Sequence, residues 1–279
     1  MAAKPPAAAS PLPVTALNGP DIIDTAAPAP PSMPLPAPPT LASRWSGFYA
    51  GINFGGGWTE GTSASTCINS ITNTSSGCTL LNESGPNTAG LLGGGQVGYL
   101  APVHLGKDMP PLILGAEFDL EGSGISGNQT VRAPIPLVGF PPCTTCNFSA
   151  HQSLDSLVSL RARIGVPVGD VLFYGTGGVM IGGVKTNQSL TFTNSGANYT
   201  ATVNKTLNGG TVGGGIEYHL PGMPWTARLE GLYYDLGKIR TVAGPMNDAF
   251  VNFSNTKTFI FRGGIVRLAL NLQLGDLGQ

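Results

Sequence analysis

From Trp45 onward, apolar and polar side chains alternate with a period of two along most of the chain. In WSGFYAGINFGGGWT, Phe48, Ala50, Ile52, Phe54 and Trp58 fall on one face, while Gly47, Tyr49, Gly51, Asn53 and Gly55 fall on the other. One face is apolar and the other small or polar, which is the signature of a β-strand between two different environments. Seven more stretches share the pattern: about Ala89 to Ala101, Leu112 to Gly122, Gln152 to Val166, Val171 to Lys185, Lys205 to Leu220, Trp225 to Leu236 and Thr258 to Leu274. The pattern predicts eight antiparallel strands.

The connections alternate as regularly as the strands. Residues 60–88, 123–151, 186–204 and 237–257 are long and rich in Asn, Ser, Thr and Gly; the turns at Pro102–Pro111, Pro167–Asp170 and Pro221–Pro224 are short and contain Pro. An antiparallel meander with this rhythm collects its long loops at one end, the asymmetry of a transmembrane barrel with long extracellular loops and short periplasmic turns. Both chain ends are then expected on the periplasmic side.

Strand parity sorts the charges. Glu117, Asp119 and Glu121 oppose Leu114, Ala116, Phe118 and Leu120; Asp155, Ser159, Arg161 and Arg163 oppose Leu154, Val158, Leu160 and Ile164. Glu217 opposes Ile216 and Tyr218, and Arg228 and Glu230 oppose Trp225, Ala227, Leu229 and Tyr233. A charge facing lipid at mid-bilayer costs about 2–4 kcal/mol, so the charged face is assigned to the lumen. With Arg262 added, these residues are expected to pair with one another and fill a lumen only wide enough for its own side chains. Arg267 breaks the parity set by Arg262, so a bulge or an arginine reaching back to the short-turn interface is expected there.

A soluble barrel would alternate equally well with the opposite sense, charges outward. Composition decides between them. Charged residues make up 10% of the chain, 41 of 279 residues are Gly and the mean hydropathy is only +0.13. That is too little charge for an ordinary soluble surface. Aromatic residues at strand ends (Trp45, Trp58, Tyr99, Phe173, Trp225 and Phe259) suit an interfacial belt. Apolar runs such as Val171 to Val184 are interrupted by Gly175, Gly177, Gly178, Gly182 and Gly183, so a transmembrane helix is not expected. A net charge of −1 with scattered Lys and Arg argues against nucleic acid as a partner.

Residues 1–43 hold half of the chain's 24 prolines with Ala-rich spacers. They form a separate segment from the barrel of 44–279 and are expected to be a disordered or extended arm able to tether to peptidoglycan or a periplasmic partner. The opening MAAKPPAAAS has no apolar signal core, so export implies a leader already removed. Cys67, Cys78, Cys143 and Cys146 lie in polar stretches and are expected to form loop-stiffening disulfides. Zinc is disfavoured by the ten-residue gap between Cys67 and Cys78, and no cofactor is expected.

The segments WSGFYAGINFGGGW, GGGQVGYL, LGAEFDLEGS, VSLRARIGVPVGDVLFYGTGGVMIG, GGGIEYHL and ARLEGLYYDLG resemble the OmpA-like, opacity-protein type of eight-stranded outer-membrane barrel found in alphaproteobacteria. They span about residues 45–264. The resemblance implies a surface antigen, a porin-like protein or an envelope-stabilising protein, embedded in outer-membrane lipid and lipopolysaccharide. Family members commonly end on an aromatic residue, whereas here the last strand runs on as RLALNLQLGDLGQ. A lipid hydrolase is the catalytic alternative, because His151-Gln152-Ser153 has a His-x-Ser spacing; the strand parity set by Arg161 turns Ser153 inward, and a base, a nucleophile and an orienting group do not converge.

Overall fold

The computed structural model describes residues 43–60, 63–69, 74–75, 86–106, 110–135, 143–193, 196, 198–244 and 253–275. The strands are β1 (Gly47–Thr59), β2 (Ser63–Asn69), β3 (Thr74–Ser75), β4 (Thr88–Val103), β5 (Leu112–Ile135), β6 (Cys143–Val168), β7 (Val171–Phe192), β8 (Asn198–His219), β9 (Trp225–Ala243) and β10 (Phe253–Gly275). Eight of them, β1 and β4 to β10, form an antiparallel ring that closes where Phe48–Thr59 of β1 pairs with Gly263–Gly275 of β10. Closure leaves no strand edge in the ring, which is what lipid demands of a backbone that crosses it. The other two strands extend the long-loop end, β2 pairing with Phe253–Phe259 of β10 and β3 with β2.

The strand starts and ends at the short-turn end agree with the alternation. At the long-loop end the strands run much further than the loop-like composition suggested. β6 has 26 residues and β5 has 24, where about ten would span a membrane. Above the level of Leu120, Leu160, Ile181 and Val212 the two faces exchange character. Outward positions become polar (Asn128, Thr130, Ser149, Lys185, Asn187, Thr200, Thr202), and inward positions become apolar (Phe148, Leu154, Val184, Leu190, Tyr199, Ile239, Phe261). The long-loop extension is therefore built like a soluble β-protein, with a core, and the lower part is built the other way out.

On two strands a bulge at this level also reverses which residues face inward. In β6, Asp155 is the extra residue between Leu154↔Val184 and Ser156↔Gly183, so inward positions are odd below it and even above it. In β9, the register slips between Asp235↔Arg262 and Lys238↔Ile260 at Gly237, which sits in the left-handed region at φ 85°. Its amide donates to Asp235 Oδ1 at 2.8 Å, and only glycine adopts this conformation without strain.

Candidate functional site: a layered lumen

Three layers fill the barrel. At the short-turn end the 3-10 turn Ser43–Trp45 folds under the ring and buries Trp45, which packs with Tyr49, Leu100, Ile113, Leu172 and Tyr174. Trp45 meets His219 edge-on at 6.0 Å between ring centroids, and Arg44 pairs with Asp170 at 2.5 Å. At the long-loop end a larger apolar cluster runs from Leu92, Ile125 and Ile265 up to Phe148, Leu190, Phe192, Tyr199 and Phe259. Burial there pushes the Tyr199 hydroxyl up to about 12.

Between these clusters lies a charged layer. Five carboxylates (Glu117, Asp119, Glu121, Glu217, Glu230) face four guanidinium groups (Arg161, Arg163, Arg228, Arg267), all buried. Sheet register brings opposite charges abreast: Glu117↔Arg161, Glu217↔Arg228 and Glu230↔Arg267. Glu117 is the hub. It accepts hydrogen bonds from Tyr49, Arg161 and Arg228, with Arg163 Nη1 at 3.4 Å. Asp119 accepts from Ser159 Oγ at 2.8 Å and Arg267 Nη2 at 2.7 Å. Glu230 takes Arg267 Nη2 at 2.6 Å, Arg161 Nη1 at 3.1 Å and Tyr174 Oη at 2.8 Å. Glu217 takes Arg163 Nη2 at 2.6 Å, Thr226 Oγ1 at 2.5 Å and Asn271 Nδ2 at 2.9 Å. Glu121 binds Arg267. An amide chain from Asn53 through Gln96 to Asn271 continues the network to β1 and β4. Buried charges at this density are tolerable only when each is paired and hydrogen-bonded.

Eight of the ten expected lumen residues meet here. Asp155 does not: the bulge it forms turns it outward, 39% exposed, where Lys185 Nζ lies at 2.6 Å. That hydrogen bond, outweighing desolvation, holds the Asp155 carboxyl below the usual carboxylate range. Arg262 does not either. Odd residues of β10 face inward, so Arg262 points out to Glu60 at 2.8 Å and Arg267 takes the central place in the network. The parity assigned at Arg262 was the inverse of the real one, and Arg267 neither bulges nor snorkels.

Of the expected aromatic belt, Trp58, Tyr99, Phe173 and Trp225 are exposed on the outer face. Trp45 and Phe259 are fully buried, the first in the lower cluster and the second in the upper one. Sequence reasoning also missed Tyr49 and Tyr174, whose hydroxyls donate to Glu117 and Glu230. Tyr174 is on the lumen face of its strand, and that parity was available. Arg163 Cζ stacks 3.9 Å from the Tyr174 ring centroid.

The β6 bulge also puts Ser153 on the outward register, opposite Lys185, instead of inward. Its Oγ donates to Asp155 Oδ1 at 2.8 Å, and His151 Nδ1 meets Asn128 Oδ1 at 2.7 Å, so each has its partner elsewhere. Cys146 is buried in the upper apolar cluster, unlike the exposed loop position its polar neighbours implied, and its thiol is not free. Cys78, the side chains of Cys67 and Cys143, and residues 1–42 lie outside the described residues. Among the described residues, side chains do not cluster as a metal site would require.

A ring of eight strands with an apolar outer band and a paired ionic interior is the inverse of a water-soluble barrel. Residues 27–262 match the family model described as outer membrane protein beta-barrel domain. The chain belongs to that family. Among relatives of the outer-membrane barrel, the 31 kDa outer-membrane immunogenic proteins of Brucella melitensis and Brucella suis are each 31% identical over 230 residues, covering 81% of this chain and 86% of theirs. Solved structures similar to this barrel include OprG from Pseudomonas aeruginosa (13% identity, 82% of this chain and 97% of that one, TM-score 0.43) and Neisserial surface protein A (11% identity, 82% and 98%, TM-score 0.35).

Proposed function

We propose that this outer-membrane barrel is a closed structural protein of the cell envelope, with its long-loop extension at the cell surface and both ends of the barrel chain in the periplasm. One observation carries the closed reading: the charged layer is capped below by the Trp45 cluster and above by the larger apolar cluster. A diffusion pore needs a continuous wet path, and an eight-stranded ring has little room beyond its own side chains. The surface reading draws on the long strands and loops at one end, and on relatives named as outer-membrane immunogenic proteins. In that position the extension presents a rigid, cored platform to the outside, stiffened by disulfides among the four cysteines, while outer-membrane lipid and lipopolysaccharide surround the apolar band.

The test is electrical. Purified protein in planar bilayers should give no stable conductance, and Trp45→Ala alone should not open one, because two further layers remain. Steady ohmic channels that widen on Arg161→Ala or Glu217→Ala would replace this reading with a narrow porin.

A further inference from the structure

We propose that the outward arc formed by β7, β8 and β9, just above the apolar band, docks the phosphate groups of an outer-leaflet glycolipid. The inference rests on the surface orientation proposed above.

The β8–β9 ladder ends at Gly210↔Asp235. Above that pair, among the described residues, β8 pairs only with β7 and β9 only with β10. The strands part and leave a seam. Lys205 lies on its β8 side; by register it shares the inward face with its buried partner Val184, and it is exposed where the parted strands open that face. Lys238 and Arg240 lie on the β9 side. Below Gly237 the even residues of β9 face the lumen, so without the bulge both cations would point into the apolar core. The left-handed turn at Gly237 reverses the parity and puts Lys238 and Arg240 outside while sending Ile239 inward.

Beside the seam, Lys185, Asn204, Thr206 and Ser156, with Lys205 and Val184 from the inward register, line a shallow dent. Two acids stand nearby. Asp155 is bound to Lys185 Nζ at 2.6 Å and to Ser153, and Asp235 accepts from the Gly237 amide at 2.8 Å. Among the described residues, Lys205, Lys238 and Arg240 form no ion pair. The arc is thus locally cationic on a chain whose net charge is −1. Its lower limit is apolar, with Val212 and Tyr233 on the outer face. Unpaired cations with hydroxyl and amide donors, at the height where lipid tails give way to headgroups, complement phosphate attached to an acylated sugar. A soluble anion would satisfy the cations but would leave the apolar border without an occupant.

The full-length barrel, folded in detergent and checked by heat-modifiable migration, would be examined by native mass spectrometry with two probes: diphosphorylated lipid A and the same lipid stripped of both phosphates. Wild type should retain the phosphorylated form preferentially. The triple variant Lys205→Ala, Lys238→Ala, Arg240→Ala should bind it about tenfold more weakly. The charge-conserving pair Lys205→Arg and Lys238→Arg should bind like wild type, and so should Arg132→Ala on β5, away from the arc. Equal binding of the two lipids, undiminished binding by the triple variant, or displacement by millimolar inorganic phosphate would overturn the proposal. An epitope inserted at Gly196 and stained on intact cells reads the orientation separately. If it stains and lipid binding is unselective, the phosphate site alone fails; if it does not stain, the orientation itself fails.

Discussion

The ring of Tyr49 occupies the space over Gly98, the residue paired with it across the β1–β4 ladder, so that a Cβ at position 98 would overlap the phenol. Tyr174 lies over Gly215 in the same manner. Each glycine lets a tyrosine lie flat along the wall and extend its hydroxyl to a carboxylate, Glu117 or Glu230.

Gly98→Ala should therefore displace Tyr49 from Glu117 and destabilise the barrel by about 1–3 kcal/mol, the usual cost of overpacking. Gly95→Ala on the same strand is the control, since a Cβ there meets only Gly51 O at 3.6 Å. Urea midpoints read from folded and unfolded gel bands in lipid vesicles would separate the two.

Removing the hub should cost more. Glu117→Ala leaves Arg161, Arg163 and Arg228 facing one another without their shared acceptor, and breaking a buried ionic cluster of this kind costs about 3–5 kcal/mol. Arg267→Ala should behave alike, because Glu121 loses its guanidinium and Asp119 and Glu230 each lose one of two. Arg262→Ala breaks only a half-exposed pair with Glu60 and should cost less than about 1 kcal/mol. Equal losses at 262 and 267 would contradict the assigned parity of β10.

How far the sequence discloses this arrangement depends on which face a side chain occupies. Below the bulges a period of two is unbroken, and Glu117, Asp119, Arg161, Arg163, Glu217, Arg228 and Glu230 are placed correctly by counting from any apolar neighbour. Asp155 and Ser153 are misplaced because a bulge carries no compositional mark on β6. Gly237 does carry one, since an isolated glycine inside a strand pattern is a bulge signal, yet it adjoins a stretch read as loop. The long-loop halves of β5 to β8 were hidden for a related reason. Their outward Asn, Ser and Thr side chains give loop-like composition, and the alternating inward set of Val184, Leu190 and Tyr199 is too sparse to outweigh them. Trp45 and Phe259 show that an aromatic at a strand end can as well be a plug as a belt, and position along the chain does not decide which.

Acid should reveal the outer pair. The Asp155 carboxyl is held below its usual range by Lys185, so its folded pKa is depressed relative to about 3.9 in the unfolded chain. The pair's stabilisation is then fully present above about pH 4–5 and disappears as pH falls through the folded value. Because both side chains are more than a third exposed, less than about 1 kcal/mol is expected. Unfolding midpoints of wild type and Asp155→Asn should differ by a constant amount between pH 5 and 7 and converge toward pH 3.

Alkylation with a maleimide, before and after reduction, tests the cysteines. The oxidised protein should resist labelling even when denatured, and reduction should expose all four thiols. Labelling of the denatured, unreduced chain at any site would show a cysteine outside a disulfide.

The exchange of polarity between the two faces fixes the depth at which the barrel floats. Moving it inward by one pair of residues, about 6–7 Å along a strand, would draw Lys185 toward hydrocarbon. The opposite shift would lift Leu160 and Ile181 into water, and neither displacement is offset by any gain on the lumen side. A barrel with a uniformly apolar exterior could ride up or down with bilayer thickness. This one keeps its height constant, so the membrane must adjust to it.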